Sequence, residues 1–441
     1  MFSTAGTTTR ATTSRYAIYV LAVMVGINFL NYMDRFVGTA VSPYIQDEFR
    51  LSDFEVGALA SVFLLIYAVG VIPFGFWADR GSRKNVIAAG VTIWSLATLV
   101  TGLTRNYLQL LLTRAFLGVG EASYYPSGTS LLADYFPKHS RGRAMSIWSA
   151  GTVFGAAAGF IGGGLIASRF GWRAAFFFTA VPGLLFALLA YGLREAAKGE
   201  AEHRGPALHE VKDANWQTFK GLWRIRTLRS TIISETILFF VLSANVYWLP
   251  IYIHRQFQVP SGRAAILSGG VLLGGALVGS LLGGYIADRM GRTDARGYLL
   301  VGIAGFLLGA VSVAIALFSP NLTVFIPAFF ISAMALYLYN GPFTALKQNI
   351  VVPSLRASAI TLSLFVEHLF GDWYSPGTIG EISDLLNSLQ LALMISPFGL
   401  LAAAAVAAIG LRTIGHETAA MEETWARRGE APLEPAALRP S

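Results

Sequence analysis

Asn28-Phe29-Leu30-Asn31-Tyr32-Met33-Asp34-Arg35-Phe36-Val37-Gly38 lies inside an apolar run that extends from about Tyr16 to Tyr44. A carboxylate beside a guanidinium at bilayer depth is expensive, and such residues as a rule face a protein interior or a watery cavity. Asn28, Asn31 and Arg35 recur at i, i+3 and i+7, so one helical face is polar and the rest is lipid-compatible. A second charged pair, Arg114 and Glu121, lies in the fourth apolar run. Seven residues is close to two turns, so both side chains point the same way, about 10 Å apart along the axis. Two charged helices in one apolar chain point to a gated, ion-coupled pathway. Taken alone, either pair is also open to reading as a buried structural ion pair.

The rest of the composition agrees with a membrane setting. The 441 residues are 54% hydrophobic and 13% charged, with a mean hydropathy of +0.56, whereas soluble domains carry about 25% charged residues. There is no cysteine, which excludes disulfides and thiolate metal sites. Met1 to Arg15 is polar and Thr-rich, and the apolar run that follows is too long for a cleavable signal peptide, so it is expected to span. The formal charge of +8 is expected to mark the cytoplasmic side rather than a nucleic-acid surface.

A span needs about 20 mainly apolar residues. Twelve runs qualify, near 17–44, 55–78, 85–104, 107–135, 143–168, 173–193, 229–253, 264–287, 298–318, 322–350, 356–382 and 389–411. Helices follow because a bilayer core leaves an open backbone unsatisfied, and these runs lack the short alternation of barrel strands. Connections after even-numbered spans carry Arg80, Arg83 and Lys84, then Lys138, Arg141 and Arg143, then Arg289, Arg292 and Arg296, and then Arg356. The opposite connections are poorer in base, so both termini are expected in the cytoplasm of a multi-pass plasma membrane, the inner membrane in a bacterium. The chain divides into a tail (1–16), six spans (17–193), a polar middle loop (194–228), six more spans (229–411) and a second tail (412–441) expected to lack a packed core. The second half of the loop, with Trp216, Phe219, Leu222 and Trp223, reads as an amphipathic surface helix or as a linker with an aromatic anchor.

The halves echo each other. Gly75-Phe76-Trp77-Ala78-Asp79-Arg80-Gly81-Ser82-Arg83-Lys84 follows the second span, and Gly284-Tyr285-Ile286-Ala287-Asp288-Arg289-Met290-Gly291-Arg292 follows the eighth. This pattern resembles the signature of the major facilitator superfamily. Gly81-Ser82 departs from the common form and resembles the Spinster branch. So do Asn31-Tyr32-Met33-Asp34-Arg35 in the first span, Arg114 through Tyr124 in the fourth, and His368-Leu369-Phe370-Gly371-Asp372-Trp373-Tyr374-Ser375-Pro376 in the eleventh. The resemblance implies an all-α polytopic protein whose twelve transmembrane helices form two pseudo-symmetric six-helix bundles around a central cavity, with alternating access. The Spinster likeness implies a proton-linked carrier of lysolipids or phosphorylated sphingoid bases.

The residues themselves suggest roles. Desolvation disfavours a charged carboxylate and a nearby arginine favours it. Asp34 is therefore the expected proton site, with Glu121 a second titrating group or gate. Arg35 and Arg114 are the counter-charges, and once released they are anion-binding groups. Asn28, Asn31, Tyr32, Tyr124, Asn340, His368 and Asp372 are candidates to line the cavity, with His368 and Asp372 placed to form an i, i+4 pair. Asp79, Arg80, Arg83, Arg141, Asp288, Arg289 and Arg292 form an expected cytoplasmic gate, or a merely structural loop. Glu235 receives no role. The glycines Gly151, Gly155, Gly159 and Gly162 to Gly164 have the spacing of close helix packing, and Pro126 with Gly128, and Gly341-Pro342, mark kinks. No metal set is complete, no nucleotide loop is present and no cofactor is implied. The expected partners are the proton, an amphipathic anion or lysolipid and the bilayer, and a monomer suffices. The rival readings are a proton symporter of small organic anions, whose cavity would be polar throughout, and a membrane lipid enzyme or non-transporting receptor.

Overall fold

The computed structural model describes residues 15–196, 216–291, 294–352 and 355–428, and every regular element among them is helical. The first bundle holds α1 (Arg15–Phe49), α2 (Asp53–Arg80), α3 (Arg83–Thr101), α4 (Tyr107–Ala122 continued by Tyr124–Tyr135), α5 (Lys138–Ala157, a π-turn at Ala158–Gly162, then Gly163–Phe170) and α6 (Trp172–Tyr191). The second holds α7 (Arg226–Phe257), α8 (Ser261–Gly291), α9 (Arg296–Leu317), α10 (Leu322–Leu336 then Asn340–Asn349), α11 (Arg356–Glu367, a π-turn at His368–Asp372, then Ser375–Leu386) and α12 (Leu389–Leu393 then Ile395–Gly410). Ten stretches of the described residues are helices long and apolar enough to cross a membrane. The two spans outside that set, α4 and α11, are interrupted and carry buried Arg114, Glu121, Glu367 and Asp372.

The interruptions match between halves. A proline leaves the carbonyl four residues earlier without its donor and presses on it. Pro126 stands four residues after Ala122, where α4 breaks at Ser123, and Pro342 stands four after Leu338, within the break of α10. The kinks therefore fall one turn before the prolines. In α5 and α11 the defect is instead a π-turn. The glycines of α5 form a ladder against α1: a Cβ on Gly151 would lie 2.9 Å from the Val25 carbonyl oxygen and one on Gly159 2.6 Å from that of Met33. Contact of that kind lets the two backbones approach closely and fixes which face of α1 turns to the bundle interior.

The middle loop is described only at its ends. Helix Trp216–Arg224 buries Leu222 and leans Phe219 and Trp223 on the second bundle before α7 begins. The C-terminal tail corrects the expectation of an unpacked segment. Ile414–Arg428 is helical, Ile414 is fully buried, and Glu417 caps the start of α7 by accepting from the Arg226 and Thr227 amides at 2.7 and 2.9 Å.

The bundles meet at the end that carries the α1–α2, α7–α8 and α11–α12 connections. Asp53, at the start of α2, accepts a bidentate pair from Arg255 of α7 at 2.5 and 2.9 Å, and bonds from Ser383 of α11 at 2.5 Å and from Gln46 at 2.7 Å. Asp384 accepts from the Asp53 and Phe54 amides at 2.9 and 2.8 Å. Ser52 and Glu55 close a capping box on the same helix end. Tyr247 donates to the Val56 carbonyl at 2.6 Å, and the Gly377 amide to Ser61 at 3.0 Å. Gly164 of α5 and Gly262 of α8 face each other so closely that a Cβ on either would lie under 3 Å from the other's carbonyl oxygen. This is a seal.

At the other end, the Asp79 and Arg80 side chains and Arg292 lie outside the described residues. Arg83 is expected in a gate, but it serves its own bundle. Its guanidinium binds Asp134, Ser130, Glu195 and the Ala196 carbonyl. Arg141 likewise donates to carbonyls at the end of α4. Asp288 and Arg289 are exposed. Glu195 caps α3, accepting from the Arg83 and Lys84 amides and from the Ser82 hydroxyl. Burial pushes its carboxyl up, but the Ser82, Lys84 and Arg83 donors outweigh this and hold it below the ordinary value of 4.5.

Two outcomes follow from these contacts. Glu195→Gln should cost about 1 kcal/mol of stability at neutral pH, the usual worth of an N-cap. A lowered carboxylate stabilises above its unfolded value and loses that contribution as pH falls through the folded one, so thermal melts of mutant and parent should converge below about pH 4. At the seal, Arg255→Ala should raise the labelling of Leu59→Cys by an impermeant maleimide, added from the sealed side, about tenfold, as loss of 1–2 kcal/mol would. An unchanged rate would show that Arg255 does not hold the seal.

Candidate functional site

Behind the seal a cavity lies between the bundles, enclosing about 900 Å³ with the open space at its mouth included. Its wall is largely aromatic and branched aliphatic, with Phe36, Ile45, Leu59, Phe63 and Leu117 from the first bundle and Val246 from the second. Arg35 and Arg114 reach it from α1 and α4. The space is amphipathic: basic at two points and apolar over most of its wall.

The pairing of the charges differs from sequence order. Arg35 binds Glu121, across two helices, through Nη2 at 2.7 Å and Nε at 3.2 Å. Its guanidinium also stands over the rings of Tyr32, Phe63 and Tyr67 at 5.1, 5.1 and 4.9 Å, a cation–π box that holds a cation with little water. Arg114 does not bind Glu121. It donates to Thr101 at 3.0 Å, lies 5.3 Å from the Phe176 ring and makes no ion pair with a described carboxylate. Gly38 makes room for it, since a Cβ there would lie 2.9 Å from Nη1.

Asp34 is 1% exposed, and neither of its carboxylate oxygens has a hydrogen-bond partner. Thr98 and Thr179 stand beside it, and the Thr98 hydroxyl, the Asn31 amide nitrogen and Glu121 Oε1 are likewise buried without partners. A carboxylate ion in such a place carries a heavy desolvation penalty, which a neutral acid escapes. The site thus holds one arginine in a close pair, one arginine without a carboxylate and one carboxylate without a donor.

Several candidates lie elsewhere. Asn28 donates to the Trp148 carbonyl at 2.8 Å and to Thr152 at 3.0 Å, bolting α1 to α5. Tyr124 donates to the Met24 carbonyl and accepts from the Trp148 indole, both at 2.7 Å. Both belong to helix packing rather than to the cavity wall, because each satisfies its polar atoms within the bundle. Asn31 is buried beside α1's charges, Tyr32 supports Arg35, and Asn340 is exposed at the break of α10. His368 Nδ1 and Asp372 Oδ2 form the anticipated pair at 2.7 Å, inside the π-turn and off the wall of this cavity. Sequence reasoning passed over Asp53, Arg255, Ser383 and Asp384, which form the seal, and Lys347, which binds Glu235 in the second bundle. The lysine had a signal, a lone ammonium in an apolar run; the seal residues had none.

Comparison with known proteins agrees with this geometry. The model of the Major Facilitator Superfamily matches residues 24–371. "Protein spinster homolog 1" of Xenopus tropicalis is 30% identical over 414 residues, covering 87% of this chain and 78% of that protein. "Sphingosine-1-phosphate transporter SPNS2" of Mus musculus is 30% identical over 402 residues, covering 84% and 73%. Among solved structures, a bacterial homologue of the human lysosomal transporter Spinster, in an inward-facing and occupied conformation, superposes with a TM-score of 0.81 at 25% identity, covering 92% of this chain and 99% of that one. The nucleoside transporter NupG shares the fold, with a TM-score of 0.67 at 14% identity. The chain is a multi-pass membrane transporter of the major facilitator superfamily and belongs to its Spinster family.

Proposed function

We propose that this transporter is a proton-coupled, alternating-access carrier of amphipathic lipid-like anions of the lysophospholipid or sphingosine 1-phosphate type. One observation carries the reading: the cavity joins an extended apolar wall to two guanidinium groups, one of them without a carboxylate. An acyl or sphingoid chain matches the wall, and a phosphate matches a planar fork of donors. The name of the Mus musculus relative, a sphingosine-1-phosphate transporter, supports the same class. A cavity for a small organic anion would be polar throughout, and this one is not.

In this mechanism Asp34 takes up the proton. Its charged form then draws Arg114 or Arg35 toward it, and its neutral form leaves Arg114 to the headgroup. Glu121 holds Arg35 meanwhile, and exchange of partners accompanies the rocking of the bundles. The richer basic loops support cytoplasmic termini in a plasma membrane, the inner one in a bacterium. The sealed end then faces outward and the cavity loads from the cytoplasm. Both halves are on one chain, so a monomer completes the pathway.

Proteoliposomes test the proposal. Labelled lysophospholipid or sphingosine 1-phosphate should accumulate along a pH gradient, and Asp34→Asn should reduce the flux to its level without a gradient while the fold persists. Full gradient-driven flux in the mutant would remove Asp34 from the mechanism. Proton-linked uptake of a small organic anion without lipid flux would favour the symporter reading, and binding without flux a receptor. Arg114→Ala breaks no ion pair with a described carboxylate and should weaken lysolipid binding about ten- to a hundredfold, as loss of a charge-assisted hydrogen bond does; calorimetry in detergent gives the value.

A further inference from the structure

The second bundle contains its own buried charge cluster, away from the cavity. Lys347 of α10 donates to both oxygens of Glu235 on α7 at 2.9 and 2.8 Å and to Ser363 of α11 at 2.8 Å, and its Nζ lies 3.5 Å from Glu367 Oε1. Ser363 also bonds Glu367, and it lies 3.3 Å from Glu235 Oε2. Lys347, Glu235 and Glu367 are 4%, 2% and 2% exposed, and Ser363 is fully buried. One ammonium faces two carboxylates, and among the described residues neither carboxylate has another cationic partner.

The charge count decides what belongs there. A single buried ion pair balances itself, whereas a second carboxylate leaves a net negative charge where water does not reach. Two carboxylates sharing one site do not both ionise readily. Lys347 is spent mainly on Glu235, and Glu367 is touched by the Ser363 hydroxyl, which serves an acid as readily as an anion. We propose that Glu235 and Glu367 together bind one exchangeable proton beside Lys347, a proton site in the second bundle separate from Asp34. The reading is independent of the one given for the first bundle.

His368, next to Glu367 on α11 and within reach of its charge, is already paired with Asp372, and Tyr339 of α10 lies within reach of both carboxylates. The charged groups of α8, α9 and the short helix Trp216–Arg224 that pack around it, Asp288, Arg289, Arg296, Lys220 and Arg224, are all exposed. Glu367 is also the last residue before the π-turn of α11, and the far half of that helix carries Ser383 and Asp384 to the seal. A proton here therefore acts on the helix that closes the transporter.

Infrared difference spectroscopy of the purified full-length protein tests this in the Asp34→Asn, Glu121→Gln background, which removes the two buried acids beside the cavity arginines of the first bundle. One buried acid carbonyl band that titrates with pH is expected, and Glu235→Gln and Glu367→Gln should each abolish it, because either leaves a neutral lysine–glutamate pair. If a glutamine variant fails to fold, glutamate labelled with heavy carbon at its carboxyl should shift the band in the background protein. No acid band, a band that survives both substitutions, or a band that the label leaves in place would overturn the proposal. So would loss of the band on adding sodium with a gain in thermal stability, which would make the site one for a metal cation.

Discussion

Charge in a medium that does not solvate it is the constraint on which this structure turns. Arg35 is kept by Glu121 and three aromatic rings, and breaking such a pair from one side costs about 3–5 kcal/mol because it strands the other charge. Much of the first bundle serves to hold that pair in register. The glycine ladder of α5 draws it against α1, Asn28 and Tyr124 lock the contact by donating to neighbouring backbone carbonyls, and Gly38 leaves space for the second guanidinium. Among the buried carboxylates described, Asp34 alone has neither oxygen hydrogen-bonded, and the Thr98 hydroxyl, the Asn31 amide nitrogen and Glu121 Oε1 around it are also without partners. An unsatisfied carboxyl held in such a frame is the group whose state is free to change.

The two halves repeat one plan with different chemistry. Each has a helix broken one turn before a proline and a helix with a π-turn. The first bundle presents its charges to the cavity, whereas the second encloses them among α7, α10 and α11. Defects of this kind let helices bend without losing backbone hydrogen bonds wholesale. They fall on α4, α5, α10 and α11, and two of these, α5 and α11, also pack across the interface at the seal.

The sequence showed its helices plainly, because twenty apolar residues in a bilayer leave little choice. The charged residues of α1 and α4 were equally visible, since an aspartate or arginine in such a run is conspicuous. Their pairing was not. Arg114 and Glu121 share a face of α4, yet Glu121 belongs to Arg35, because helix rotation in the packed bundle, not spacing along one helix, decides which side chains meet. Asn28 looked like a cavity residue for the same reason, being polar on the polar face of α1, but α5 covers that position. The seal was silent in the sequence: Asp53 and Arg255 are 202 residues apart and each is an ordinary charge near a loop.

The start of α2 is capped twice. Ser52 and Glu55 belong to its own bundle, while Asp384 comes from the other bundle and would leave if the seal parted in the proposed alternating access. The amide-rich end of a helix attracts a nearby carboxylate by about 0.3–1 kcal/mol, so opening forfeits that attraction, yet the local cap keeps the first turn wound. The helix thus carries a reserve. It can act as a latch that is undone repeatedly without fraying, and the two faces of the transporter can part at this point without either one locally unfolding.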